Sequence, residues 1–130
     1  MCSSDLDRHA HLAFARQALS ALPSSHLLAC SAIEETAPLG PAAQGAYLNQ
    51  MVALQTELGP FELLAELHRI ERAAGRERRE RWGARTLDLD IVAFARQRVS
   101  EPGLTVPHPE IRNRDFWQRE LAELGAQVPA

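Results

Sequence analysis

The 130-residue chain contains no lysine, only two cysteines and one tyrosine, and no apolar run near the length of a membrane span. A transmembrane helix needs about 20 predominantly apolar residues, so none is expected here. Cys2 and Cys30 show neither C-x-x-C nor zinc-like spacing. That excludes a disulfide scaffold and a structural zinc site, and fits a reduced, cytoplasmic protein. Met1 to Asp7 is short and polar, so no signal peptide is expected. No glycine-rich phosphate loop is present, which excludes a P-loop kinase. The formal charge of -3 excludes a general nucleic-acid or membrane-surface binder and makes any basic patch local. The length fits a single domain, 1–130, with a real core.

The most informative stretch runs from Arg81 to Phe94 (RWGARTLDLDIVAF). From Thr86 onward it alternates: Leu87, Leu89, Ile91 and Ala93 share one face of an expected strand, while Asp88 and Asp90 share the other. Two strand residues advance about 6.6 Å, so two carboxylates that lean together can hold a pair of divalent cations about 4 Å apart. Like charges on one strand face repel, and a counter-cation relieves them. Five arginines, Arg76, Arg78, Arg79, Arg81 and Arg85, lie just upstream. Planar guanidinium forks match phosphate oxygens. Each feature alone also fits a solvated strand face or loop; their adjacency points to phosphate chemistry.

The rest of the chain predicts an amphipathic helix over Asp7 to Leu22, with Leu12, Ala15, Leu19 and Leu22 inward and Pro23 as its stop. A strand follows at about His26 to Glu34, then a Pro- and Gly-rich loop from Ala37 to Gly45. Tyr47 to Glu57 reads as one strand, with Leu48, Val52 and Leu54 on one face and Asn49, Met51 and Ala53 on the other. Pro60 opens a second helix that runs to about Ala74 before Gly75, with Leu63, Leu64, Leu67 and Ile70 inward. A short strand is expected near Leu104 to Val106 and a last helix over Asp115 to Gly125. This order predicts an α+β fold, a two-layer ferredoxin-like sandwich of the β-α-β-β-α-β kind with an antiparallel sheet and helices on one face. Its first strand is apparently missing, since Met1 to Leu6 shows no alternation.

With these segments in place, the chain resembles the 6-hydroxymethyl-7,8-dihydropterin pyrophosphokinase family over about Asp7 to Glu123. The likeness rests on Arg81 to Ile91, similar to the signature R-W-G-x-R-x-x-D-L-D, and on Thr36 to Pro41, Tyr47-Leu48-Asn49, Val106-Pro107-His108-Pro109 and Asn113 to Phe116. The resemblance implies diphosphate transfer from ATP to a pterin alcohol in folate biosynthesis. It implies that Asp88 and Asp90 bind two Mg²⁺ ions. His68, Glu71, Arg78, Trp82, Arg85, Ile91, His108 and Arg114 would contact ATP, and Arg76 and Arg85 would stabilise charge during transfer. Tyr47 and Phe116 would sandwich the pterin, Asn49 would read its polar edge, and Thr36 and Leu39 would complete the pocket. The loop carrying Trp82 would close over both substrates. Position 68 is commonly Gln in the family and is His here. A monomer is expected if the fold is complete, with no nucleic-acid or membrane partner.

On the residues alone, Tyr47 and Phe116 fit a core as well as a stacking site, and a His between two prolines fits a structural role as well as a catalytic one. The family's first strand ends in Gly-Ser-Asn, to which only Ser4-Asp5-Leu6 is similar, and most members continue past the position of Ala130. The chain is therefore expected to be shortened at both ends and weakly active or inactive. The competing expectation is a non-catalytic relic that binds nucleotide or pterin without turnover. An RNA-binding sandwich is disfavoured by the acidic Asp88 and Asp90 face.

Overall fold

A computed structural model of the chain describes residues 1–3, 8–36, 47–75 and 87–126. Strand β1 (Cys2–Ser3) leads to helix α1 (Arg8–Ser20), strands β2 (Ser25–Cys30), β3 (Glu34–Thr36), β4 (Tyr47–Asn49) and β5 (Val52–Thr56), and helix α2 (Pro60–Ala74). After an extended segment come strands β6 (Val99–Glu101) and β7 (Leu104–Val106), a 3₁₀ turn over Pro109–Asn113, and helix α3 (Asp115–Glu123). The strands pair in three small antiparallel sheets, β1-β4-β3, β2-β5 and β6-β7. The fold is α+β.

Both long helices follow their apolar spacing. Leu12, Ala15 and Leu19 on α1 and Leu63, Leu67 and Ile70 on α2 enter one core with Leu22, Leu48, Leu87, Leu89, Ile91, Leu104 and Val106. Helix α2 starts where Pro60 suits the first helical position, and Glu62 reaches back to accept the Gly59 N–H at 2.9 Å. It ends with the Gly75 N–H on the Glu71 carbonyl at 3.0 Å.

Four strand expectations change. A first strand is present: Cys2 pairs with Asn49 and Ser3 with Leu48, and Met1 and Gln50 exchange backbone hydrogen bonds of 2.8 and 3.0 Å. Two residues are too few to show alternation, so the partner strand, not the local pattern, decides their conformation. The strand expected over Tyr47 to Glu57 breaks at Gln50 and Met51 into β4 and β5, and the one expected over His26 to Glu34 divides into β2 and β3. Buried polar groups fix the break: Gln50 Nε2 donates to the Ser31 carbonyl at 2.7 Å, its Oε1 accepts from Arg16 at 2.7 Å, and Ser31 Oγ accepts the Met51 N–H at 2.9 Å. The alternation survives, since Val52 and Leu54 reach the main core and Met51 a second one. Among the described residues 87–94, Asp88 forms a single bridge and no ladder is built. The strand expected near Leu104 to Val106 forms as β7 and pairs with β6 in a hairpin, whose turn places Gly103 at φ +88, a conformation open to glycine.

Helix α3 closes a second cluster, in which Trp117 and Leu121 bury against Met51, with Val92, Ile111, Phe116 and Leu124 at its margin. Two polar contacts tie this helix to the β2–β3 connection: Glu123 accepts the Ala32 N–H at 2.9 Å, and Arg119 donates to Glu34 at 2.8 Å. Between them Glu120 is 1% exposed, and its Oε2 has no hydrogen-bond partner among the described residues. Burial, then the nearby Glu34 charge, pushes its carboxyl up to about 7 from the ordinary 4.5.

Such a shift has a definite sign. Below pH 4.5 both folded and unfolded chains are protonated; between 4.5 and 7 only the unfolded chain ionises, so stability falls as pH rises, and above 7 the loss is complete. The full effect is on the order of 3 kcal/mol. Glu120→Gln removes the ionisation. The melting temperature of the variant relative to the parent is therefore expected to climb from pH 4.5 to 7 and then level off; a difference that stays flat with pH would show that Glu120 is not the titrating group.

Candidate functional site

An open cleft of about 560 Å³ lies between α2, the extended segment 88–91, the β6–β7 hairpin and the start of the 3₁₀ turn. Helix α2 contributes Leu64, His68 and Glu71, spaced to share one face. The extended segment contributes Asp88, Leu89, Asp90 and Ile91. Leu87, Leu89 and Ile91 are buried, and period two turns both acids the other way, Asp88 half-buried and Asp90 exposed. Magnitude makes this register firm. A one-residue slip would expose three aliphatic side chains, at about 1.5–3 kcal/mol each, and push two carboxylates into the core.

Glu71 fastens the segment to the helix. Its Oε2 accepts the Leu89 N–H at 2.7 Å, giving a backbone donor that joins no ladder a charged acceptor. Burial raises the Glu71 pKa; the Leu89 hydrogen bond opposes this, and the Asp88 and Asp90 charges add to the rise. Both acids of the extended segment thus act on Glu71, with the His68 charge opposing them.

Opposite stand His108 and Arg114. The His108 backbone N–H donates to the Val92 carbonyl at 2.8 Å, and its Nδ1 accepts the Glu110 N–H at 3.1 Å as the cap of the 3₁₀ turn. With Nδ1 an acceptor, the neutral ring carries its proton on Nε2. Burial lowers the His108 pKa more than the Asp90 charge raises it, and Arg114 lowers it further. The lowered pKa favours the neutral ring, which donates from Nε2. The Arg114 guanidinium lies over the Trp117 ring at 4.4 Å from its centroid, and the His108 ring meets the same indole at 4.8 Å and 84°.

Seven sequence-stated positions, His68, Glu71, Asp88, Asp90, Ile91, His108 and Arg114, therefore line one cleft. Thr36, Tyr47 and Asn49 gather elsewhere, on β3 and β4: Thr36 pairs with Tyr47, and Asn49, buried, donates from Nδ2 to Thr36 Oγ1 at 2.6 Å. Phe116 is half-buried beside Trp117, with centroids 6.3 Å apart. Met51, two residues beyond Asn49, packs into that same cluster. Leu39, Arg76, Arg78, Trp82 and Arg85 lie outside the described residues. Among the described residues no group of three or more His, Cys, Asp or Glu could hold a metal ion. Two features carry no expectation from the sequence: the hairpin wall of the cleft, Gly103 to Thr105, and Trp117 against His108 and Arg114. The first has no local chemical signal; the second is signalled by Arg114-x-x-Trp117, a cation and an aromatic one helical turn apart.

Comparisons with known proteins identify the family. A model of the family 7,8-dihydro-6-hydroxymethylpterin-pyrophosphokinase matches residues 2–126. The 2-amino-4-hydroxy-6-hydroxymethyldihydropteridine pyrophosphokinase of Haemophilus influenzae is 41% identical over 114 residues, 88% of this chain and 71% of that protein. The enzyme of the same name from Pseudomonas aeruginosa is 44% identical over 114 residues, 88% of this chain and 70% of its own length. That from Bacillus subtilis is 46% identical over 98 residues, 75% of this chain and 59% of its own. The chain belongs to the 7,8-dihydro-6-hydroxymethylpterin-pyrophosphokinase family.

Proposed function

We infer that this chain transfers the diphosphate of ATP to 6-hydroxymethyl-7,8-dihydropterin, releasing AMP in folate biosynthesis. Family membership supplies the reaction. The observation that carries the assignment of residues is the convergence of seven separately named positions on one cleft. The pterin hydroxymethyl oxygen attacks the β-phosphorus, and the bond from that phosphorus to the oxygen bridging the α-phosphorus breaks. Such a reaction needs little covalent help from protein and much positioning and charge stabilisation.

In this reading the triphosphate lies between the acidic wall and the His108 and Arg114 side, with His68, Glu71 and Ile91 along the nucleotide. Arg76, Arg78, Trp82 and Arg85 complete the ATP contacts, Arg76 and Arg85 where charge builds up. Asp88 and Asp90 fit Mg²⁺, a hard cation commonly held by one or two carboxylates together with substrate phosphates, so a third protein ligand is not required. Two such ions would neutralise phosphate charge when bound. His108 would donate from Nε2 to a phosphate oxygen, and Arg114 would offer its guanidinium fork. Thr36, Leu39, Tyr47, Asn49 and Phe116 would take the pterin, with the Asn49 carboxamide oriented by Thr36. We place the three sheets in one ferredoxin-like sandwich, a single domain that works as a cytoplasmic monomer. Cys30, free and exposed, suits a reducing compartment.

The direct test incubates the chain with ATP, Mg²⁺ and the pterin and follows AMP. Pterin-dependent AMP release is expected; nucleotide binding with no AMP would instead mark a non-catalytic relic. For the metal ligands, Asp88→Ala and Asp90→Ala are each expected to weaken Mg²⁺-dependent ATP binding by at least about tenfold, roughly the 1.4 kcal/mol that one charged contact supplies, with an unchanged far-UV spectrum. Calorimetric titrations indistinguishable from the parent in both variants would sink that assignment.

The pterin pocket has its own test. A site that hydrogen-bonds a heterocycle is weakened selectively when the polar reader is removed. Asn49→Ala is expected to raise the KM for pterin well above any change in the KM for ATP, and equal changes in the two would point to damage to β4 rather than to a specificity role.

A further inference from the structure

Trp117 serves as a core residue, 6% exposed and packed with Met51 and Leu121. Packing does not account for its polar company. The guanidinium of Arg114 sits 4.4 Å from the centroid of its ring, and the His108 ring meets it nearly at right angles at 4.8 Å. These are the two groups that face the acidic wall of the cleft, and they come from different places, one at the mouth of the 3₁₀ turn and one at the head of α3. A long arginine side chain loses considerable rotamer freedom when it is held for a ligand. A fixed aromatic face bears part of that ordering before the ligand arrives. The Trp117 backbone N–H donates to the Arg114 carbonyl at 3.0 Å, which sets the two side chains one helical turn apart.

We propose that Trp117 is a positioning residue for the diphosphate transfer: its buried indole holds Arg114 by cation–π stacking and His108 by edge contact, so that both donors point into the cleft before ATP binds. The inference rests on the nucleotide reading of the cleft above. Its effect falls on ATP affinity, since the indole itself is not among the cleft-lining residues. Cation–π stacking is best on Trp and weaker on Phe, which gives the substitutions a rank order.

Calorimetry of ATP with Mg²⁺ binding to the full chain tests this in a set of variants. Trp117→Leu is expected to weaken binding about tenfold, within the range for a desolvated cation–π contact, and Trp117→Phe about two- to threefold. Leu121→Ala, which removes a neighbour from the same cluster without touching the ring's polar partners, is expected to lower the melting temperature and leave affinity unchanged. In an Arg114→Ala background, both Trp117 substitutions should lose most of their effect, because the group they position is gone. If Trp117→Leu does not fold, the Trp117→Phe loss and its disappearance beside Arg114→Ala decide the matter. Wild-type affinity in Trp117→Leu or Trp117→Phe, while Arg114→Ala and His108→Ala weaken ATP, would overturn the positioning role and leave the site reading standing. A loss in Leu121→Ala equal to that in Trp117→Leu would also overturn it, by reducing the effect to packing. Unchanged affinity in Arg114→Ala and His108→Ala would remove the reading of the cleft itself, and this inference with it.

Discussion

Burial of Leu87, Leu89 and Ile91 in the main core is the constraint on which the cleft depends. Because side chains of an extended segment alternate, committing these three to the interior commits Asp88 and Asp90 to the opposite side, together. The core partners of the three come from α1, α2, β4 and β7, so the direction of the acids is set by most of the fold and not by a local turn. The Glu71 carboxylate then determines how far along α2 the segment sits, through its hydrogen bond to the Leu89 N–H. Strong apolar burial chooses the face, and one charged hydrogen bond anchors the segment to α2.

The other wall is organised by α3. Its apolar side seats Trp117 and Leu121 on Met51, while Glu123 and Arg119 reach across to Ala32 and Glu34. The same helix presents Arg114 at its N-terminus and holds the buried Glu120 near its end. A carboxyl driven to about 7 by burial links the seating of this helix to pH near neutrality. Met51, just after β4, packs into this wall's cluster beside Phe116, while Asn49 on β4 and Thr36 on β3 are held by their own hydrogen bond.

Much of this was legible in the residues. Helix α2 follows its Pro60 start and Gly75 stop, and the inward residues of both long helices are those that helical spacing selects. The alternation around Asp88 and Asp90 was legible because period two survives even where no ladder forms. The strand boundaries were not. The break at Gln50 and Met51 depends on Ser31 and Arg16, distant in sequence, and a two-residue strand such as Cys2–Ser3 carries no pattern of its own. The part played by Trp117 was hidden for a related reason: an aromatic at helical spacing reads as core, and it is core, so its contacts with Arg114 and His108 emerge only when the 3₁₀ turn folds back beside α3.

Whether the Asp88 and Asp90 face receives divalent metal beside the nucleotide can be measured directly on the unaltered chain. Mn²⁺ substituted for Mg²⁺ broadens the amide resonances of nearby residues, so a nuclear magnetic resonance titration with a non-hydrolysable ATP analogue maps where the ion sits. The amides of Asp88 to Ile91 and of His108 are expected to broaden first, and only weakly when the nucleotide is omitted. Broadening that begins instead at the other acidic surface, around Glu34, Glu35 and Glu123, with the Asp88 to Ile91 amides still sharp, would contradict metal binding at this face.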